Sequence, residues 1–130
     1  MYNEFIVKSK GAELSMKVAI VGSRSLKKAD IGDYIPAGAT EIISGGAKGI
    51  DTCAREYAMA NGLKLTEFLP DYSHYGRRAP LLRNVEIIKN ADILLIFWDG
   101  KSRGTSFTME KARSMGKPFC LICDSDFSDS

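Results

Sequence analysis

The sequence predicts an α/β fold in three layers, with a mainly parallel central sheet of about five strands. Two observations lead there. Short apolar runs of strand length alternate with amphipathic runs of helical period, and parallel neighbours need crossover helices between them. Three of the strand runs also end directly in glycine-rich turns carrying hydroxyl side chains, the signature of strand-to-helix loops on one rim of such a sheet.

The elements follow in order. Met16 to Val21 (MKVAIV) is a buried strand that stops at Gly22-Ser23-Arg24. Ser25 to Tyr34 is expected to form a short helix, weakened by Gly32 and broken by Pro36-Ala37-Gly38. Glu41 to Ile43 is a second strand running into Ser44-Gly45-Gly46. After Gly49, the residues Ile50, Cys53, Ala54, Tyr57 and Ala58 recur at one-face helical spacing, and Asn61-Gly62 supplies the stop. Leu63 to Leu69 alternates apolar and polar residues, as suits a strand near a sheet edge, and Pro70 ends it. Asp71 to Ala79 reads as a polar loop. A helix then follows with Leu81, Leu82, Val85 and Ile88 on its inward face.

Ile93 to Trp98 (ILLIFW) is continuously apolar, so it is expected to be covered on both faces. It ends at Asp99-Gly100. Phe107, Ala112 and Met115 stripe a last helix closed by Gly116, and Pro118 to Cys123 forms a last strand. The organisation expected is an N-terminal extension over residues 1–15, one domain over 16–123 and a polar tail over 124–130. Within the extension, Glu4 to Lys8 is a candidate for a small extra strand.

Composition narrows the chemistry. A chain of 130 residues with a net charge of +2 cannot hold nucleic acid by bulk basicity, so any anion site must be local. No stretch approaches the ~20 apolar residues of a membrane span, and no membrane partner is expected. Three cysteines, an odd number, fit a reduced cytoplasmic setting. Cys120-Leu-Ile-Cys123 has the C-x-x-C spacing but lies in an apolar strand run, and with a single histidine, His74, no metal site is expected.

The three glycine-bearing strand ends should converge, because all carboxyl ends of a parallel sheet point the same way. Glycines admit a close ligand, and the free amides that open each following helix favour an anion. Arg24, Lys48 and Arg103 can add charge-assisted bonds, and Ser23, Ser102, Thr105 and Ser106 hydroxyls. The expected ligand is small and phosphate-bearing. Neither G-x-x-x-x-G-K-[ST] nor G-x-G-x-x-G occurs, so the usual ATPase and dehydrogenase readings fall away.

The set VAIVGSRSL, ISGGAKGIDTCAREYA and GRRAPLLRNVEIIKNADILLIFWDGKSRGTSFTMEKARSMGKP resembles the SLOG superfamily of Rossmann-like proteins, most closely its YspA/YpsA-related branch. The middle motif is also similar to the DNA-processing protein DprA, whose corresponding segment belongs to a Rossmann domain that binds single-stranded DNA. The resemblance covers residues 16–122. It implies a Rossmann-like fold and a pocket for nucleotides, nucleotide-derived signals or nucleic acid, with homo-oligomers common in the family. Residue by residue, that pocket comprises Gly22, Ser23 and Arg24; Gly45, Gly46, Lys48, Gly49 and Asp51; Arg83 and Asn84; and Asp99, Gly100, Ser102, Gly104 and Thr105.

Three functions compete. The first is binding of a nucleotide or nucleotide derivative, as sensor or carrier; the second is hydrolysis of an N-glycosidic or phosphate bond; the third is DprA-like binding of single-stranded nucleic acid. LOG-type phosphoribohydrolases in the superfamily carry PGGxGTxxE in the last loop. Here DGKSRGTSFT places Thr108 where their catalytic glutamate stands, which counts against carrying that activity over. Asp51 and Asp99 are the remaining candidate catalytic carboxylates. Tyr72-Ser73-His74-Tyr75 is a candidate surface for a base.

Overall fold

The computed structural model describes residues 15–27 and 29–123. The N-terminal extension with its candidate strand at Glu4 to Lys8, and the tail after residue 123, lie outside the described residues. Five parallel strands, β1 (Lys17–Gly22), β2 (Glu41–Ser44), β3 (Lys64–Glu67), β4 (Ile93–Trp98) and β5 (Phe119–Cys123), form one sheet in the order β3-β2-β1-β4-β5. The helices are α1 (Ile50–Ala60), the single-turn α2 (Tyr72–Tyr75), α3 (Ala79–Asn90) and α4 (Arg103–Ser114). The arrangement is Rossmann-like, and strand order reverses between β1 and β4. Val18 pairs with Ile93 and Gly22 with Phe97, so these two strands finish side by side at the reversal.

Strand alternation divides the core. Val18, Ile20, Ile42, Leu95, Phe97 and Ile122 point to the face covered by Ile50, Ala54 and Ala58 of α1 and by Leu26 and Ile31. Ala19, Val21, Ile43, Leu94 and Ile96 point the other way, beneath Ile87 and Ile88 of α3 and Met109 and Ala112 of α4. Val18 to Ile20 and Leu94 to Phe97 are buried on both faces, the reason both interior strands read as unbroken apolar runs. The middle of the sheet is β1 rather than the more apolar β4. Each edge strand is more exposed: β3 carries Lys64 outward, and Cys120 of β5 is solvent-exposed, away from any core position.

Four expectations need correction. Among the described residues of Ser25 to Tyr34, the helical part is a 3-10 turn at Ile31–Tyr34, with Leu26 and Ile31 both drawn into the core. Asp71 to Ala79 is not a plain loop. The Asp71 carboxylate accepts from the His74 amide at 3.1 Å and from the Ser73 hydroxyl at 2.9 Å, which starts α2, and a 3-10 turn at Gly76–Arg78 leads into α3.

The buried face of α3 is Ala79, Ile87 and Ile88, with Leu81, Leu82 and Val85 only half-buried. The buried face of α4 is Thr105, Thr108, Met109 and Ala112, whereas Phe107 and Met115 are exposed. Two threonines thus occupy helix positions that an apolar-stripe reading gives to hydrocarbons. Both lie beside the cavity described next.

Candidate functional site

A cavity of about 400 Å³ opens over the carboxyl ends of β1, β2 and β4, at the strand-order reversal where open α/β sheets hold ligands. The turn after β1 contributes Gly22, Arg24 and Ser25, and the β2–α1 loop contributes Gly45, Lys48 and Asp51. The β4–α4 loop supplies Asp99, Ser102, Gly104 and Thr105, and α3 closes the side with Arg83, Asn84 and Ile87. Of the other residues named from sequence, Ser23 lies buried beneath the cavity at 1% exposure, while Gly46, Gly49 and Gly100 shape the loops without lining it. Arg103 and Ser106 are not in its wall.

Ser23 joins two of the loops. Its amide donates to the Phe97 carbonyl at 2.9 Å, its hydroxyl accepts from the Asp99 amide at 3.1 Å, and its Oγ lies 3.1 Å from Thr105 Oγ1. Asp99 collects donors in turn. Ser25 Oγ reaches Oδ2 at 2.6 Å, and the amides of Lys101 and Ser102 reach Oδ1 at 2.8 Å each. The Ser25 hydroxyl, followed by those two amides, holds the Asp99 carboxyl well below the usual carboxylate range. Such a group is a fixed anion around which the loop is folded, and a poor proton acceptor. Ser102 caps α4 by accepting from the Thr105 amide at 3.3 Å.

The glycine loop already contains an anion. Asp51 Oδ2 accepts the Ala47 amide at 2.9 Å, and the Gly45 amide also favours the ionised carboxylate. The Gly46 amide donates to Ser44 Oγ at 3.3 Å. Burial pushes the Asp51 carboxyl up, against the opposing pull of the Ala47 amide and the Arg83 guanidinium. Gly49, the N-cap of α1, has φ +78°, and a Cβ there would stand 2.7 Å from the Leu26 carbonyl oxygen, so only glycine fits this entry to the helix.

Arg83 braces the same loop from α3. Its Nη1 donates to the Gly45 carbonyl at 2.7 Å and to the Phe68 carbonyl at 3.1 Å, and its Nε donates to Asn84 Oδ1 at 2.7 Å. Burial lowers the guanidinium pKa, with Asp51 opposing. Asn84 is engaged at both ends, since its Nδ2 donates to Thr108 Oγ1 at 2.7 Å. Thr108 is fully buried and donates to the Gly104 carbonyl at 3.0 Å. The Arg83-Asn84 pair therefore ties three elements together through one hydrogen-bonded chain. No carboxylate stands at position 108.

Unlike these engaged groups, Arg24 and Lys48 stand where the cavity meets a second cleft of about 510 Å³, lined by Arg24, Lys27, Ala47, Lys48 and Gly49. The shared wall carries two cations, Lys27 adds a third, and among the described residues no acid lines the second cleft. Tyr72 and Tyr75 of α2 are 54% and 48% exposed and line neither cleft, Tyr75 sharing a separate groove with Arg83. His74 packs edge-on against Tyr75 with ring centroids 4.6 Å apart. Among the described residues, no group of three or more His, Cys, Asp or Glu side chains is gathered to hold a metal ion, and no helix is long and apolar enough to cross a membrane.

Sequence reasoning missed Ser25, Ser44 and Thr108 as parts of this network. The serines at 25 and 44 each adjoin a quoted motif, GSRS and SGG, and that adjacency was the available signal. Nothing local marks Thr108 as a partner of Asn84.

Comparison with known proteins bears on the same loops. The family model of DNA recombination-mediator protein A matches residues 7–75, a span that runs through β1, β2, α1 and β3 and contains two of the three cavity loops. The Gene 61 protein of Mycobacterium phage D29 is 35% identical over 83 residues, 59% of this chain and 66% of that protein. The chain thus spans just under two thirds of that relative's length. No solved structure matches.

Proposed function

The chain belongs to the DNA recombination-mediator protein A family, and from that premise we propose that it is a binding module for single-stranded DNA, seating a backbone phosphate in the cavity over β1 and β4. The observation that carries the reading is the continuity of the two clefts through Arg24 and Lys48. A strand needs a track for successive phosphates, and this track is basic locally although the net charge is only +2. The amides of Arg103 and Gly104 at the start of α4, where Gly104 leaves open space at its Cα, add uncharged donors.

A second reading, a free nucleotide or nucleotide derivative, is favoured by the cavity volume of about 400 Å³, which lies within the range of small-ligand sites. Placement in the YspA/YpsA-related branch rests on GSR, RN and WDGxSxGT and favours the same ligand chemistry.

Thermal-shift and fluorescence-anisotropy titrations with labelled oligothymidylate and with mononucleotides separate the two readings. The proposal expects saturable oligonucleotide binding that weakens with salt, and a loss of about tenfold or more in Arg24→Ala or Lys48→Ala, since a charge-assisted phosphate contact is worth ~1.5–3 kcal/mol. Absence of oligonucleotide binding at low salt overturns it. A mononucleotide that stabilises the protein when oligonucleotides do not establishes the second reading instead.

A further inference from the structure

Among the described residues, the ionisable groups of the cavity wall are Arg24, Lys48 and Arg83 against Asp51 and Asp99, a net of one positive charge. The glycine loop cannot add its full set of amides, because Ala47 already donates to Asp51 and Gly46 to Ser44. The anion nearest the position of an incoming phosphate is thus the protein's own. Resting on the strand-binding reading, we propose that Asp51 makes this cavity selective for a singly charged phosphodiester and rejects the terminal phosphate of a mononucleotide or strand end.

The physical basis is charge matching. An internucleotide phosphodiester carries one negative charge, whereas a phosphate monoester carries about −1.5 to −2 near pH 7, with a second pKa of about 6. One unit of ligand charge neutralises the described wall; the second finds no counter-charge within the cavity, Lys27 lying in the neighbouring cleft, and meets the Asp51 carboxylate in a half-buried site, where repulsion is screened less than in water. Arg83 does not relieve it. Three of its five N–H groups are engaged by the Gly45 and Phe68 carbonyls and by Asn84, and its charge is already counted in the wall. Glu67 of β3 also acts on Asp51, and its own charge is paired with Arg55 at 2.8 Å.

Asp51 is therefore a specificity residue, and its substitution should widen the ligand range rather than abolish binding. Asparagine keeps an oxygen that can accept the Ala47 amide while removing the charge.

Competition against labelled oligothymidylate lacking a 5′ phosphate tests the proposal, with the dinucleotide TpT and the mononucleotide dTMP as competitors at pH 7.5. The wild type should prefer TpT by about tenfold or more, and Asp51→Asn should compress that preference to within about threefold, chiefly by tightening dTMP. A pH arm on the wild type does not depend on the variant folding. At pH 5 dTMP becomes a monoanion and, because burial pushes Asp51 up, that carboxylate moves toward neutrality; Glu67, Arg83, Arg24, Lys48 and Asp99 are the other charged groups facing it. The preference should shrink there as well.

Equal affinity of the wild type for TpT and dTMP at pH 7.5 overturns the proposal while leaving strand binding intact, as does a preference unchanged in a folded Asp51→Asn or, should that variant not fold, unchanged in the acid arm. Failure of the labelled oligonucleotide to bind overturns both.

Discussion

Two carboxylates face one cavity and are shifted in opposite directions, which gives each its own signature. Asp99, held low by Ser25 and the Lys101 and Ser102 amides, contributes stability present above the ordinary carboxylate pKa of about 3.9 and lost as pH falls through its depressed value. Asp51 is the reverse. Its raised folded-state pKa means that the protonated form is favoured in the fold, and that contribution is lost as pH rises. Asp51→Asn should accordingly unfold at a higher temperature than the wild type at pH 7–8, with the difference narrowing toward acid, as read by calorimetry across pH. A variant that melts lower at pH 7.5 would show that the Ala47 bond needs the charge. Ser23 provides a third test at this scale. Ser23→Ala strands the Asp99 amide and removes the contact to buried Thr105, at a cost of about 1–3 kcal/mol in denaturant unfolding.

At the scale of elements, the loops are built by close approach. A Cβ at Gly22 would lie 2.5 Å from Cβ of Ile50, so α1 enters directly against the end of β1. Gly22→Ala should cost about 1–3 kcal/mol or more by overpacking, and chemical denaturation measures it; a neutral result would mean that α1 can retreat freely. The strands and α1 were legible in the sequence because their apolar patterns answer to a single requirement, burial against the sheet. The phase of α4 was not, because Thr105 and Thr108 are buried through hydrogen bonds to Ser23, Ser102, Asn84 and Gly104, which no periodicity encodes. Between Ser25 and Tyr34, Leu26 and Ile31 are five residues apart, a spacing that one helical face does not bury, and both nonetheless enter the core. Within the cavity, residue types and loops could be named from sequence. That Asp51 already takes the Ala47 amide of the glycine loop depends on how helix and loop meet in space.

At the scale of the molecule, near-neutral charge and a basic track are compatible because the cations are gathered rather than numerous. Arg24, Lys27 and Lys48 border one continuous cleft on the carboxyl-end rim, and the amino-end rim is closed by ties such as Lys17 N–H to Asp92 at 2.8 Å and Lys117 Nζ to the Ala91 carbonyl at 2.6 Å. The proposed binding surface thus lies at one end of the sheet. The measurement that tests this most directly is an amide chemical-shift titration of the isotope-labelled protein with oligothymidylate at low salt. The account predicts saturable shifts concentrated at Arg24, Lys48 and Gly104, with the amino-end residues Thr40 and Ala91 unmoved. Saturable shifts gathered anywhere else, or none at all, would contradict it.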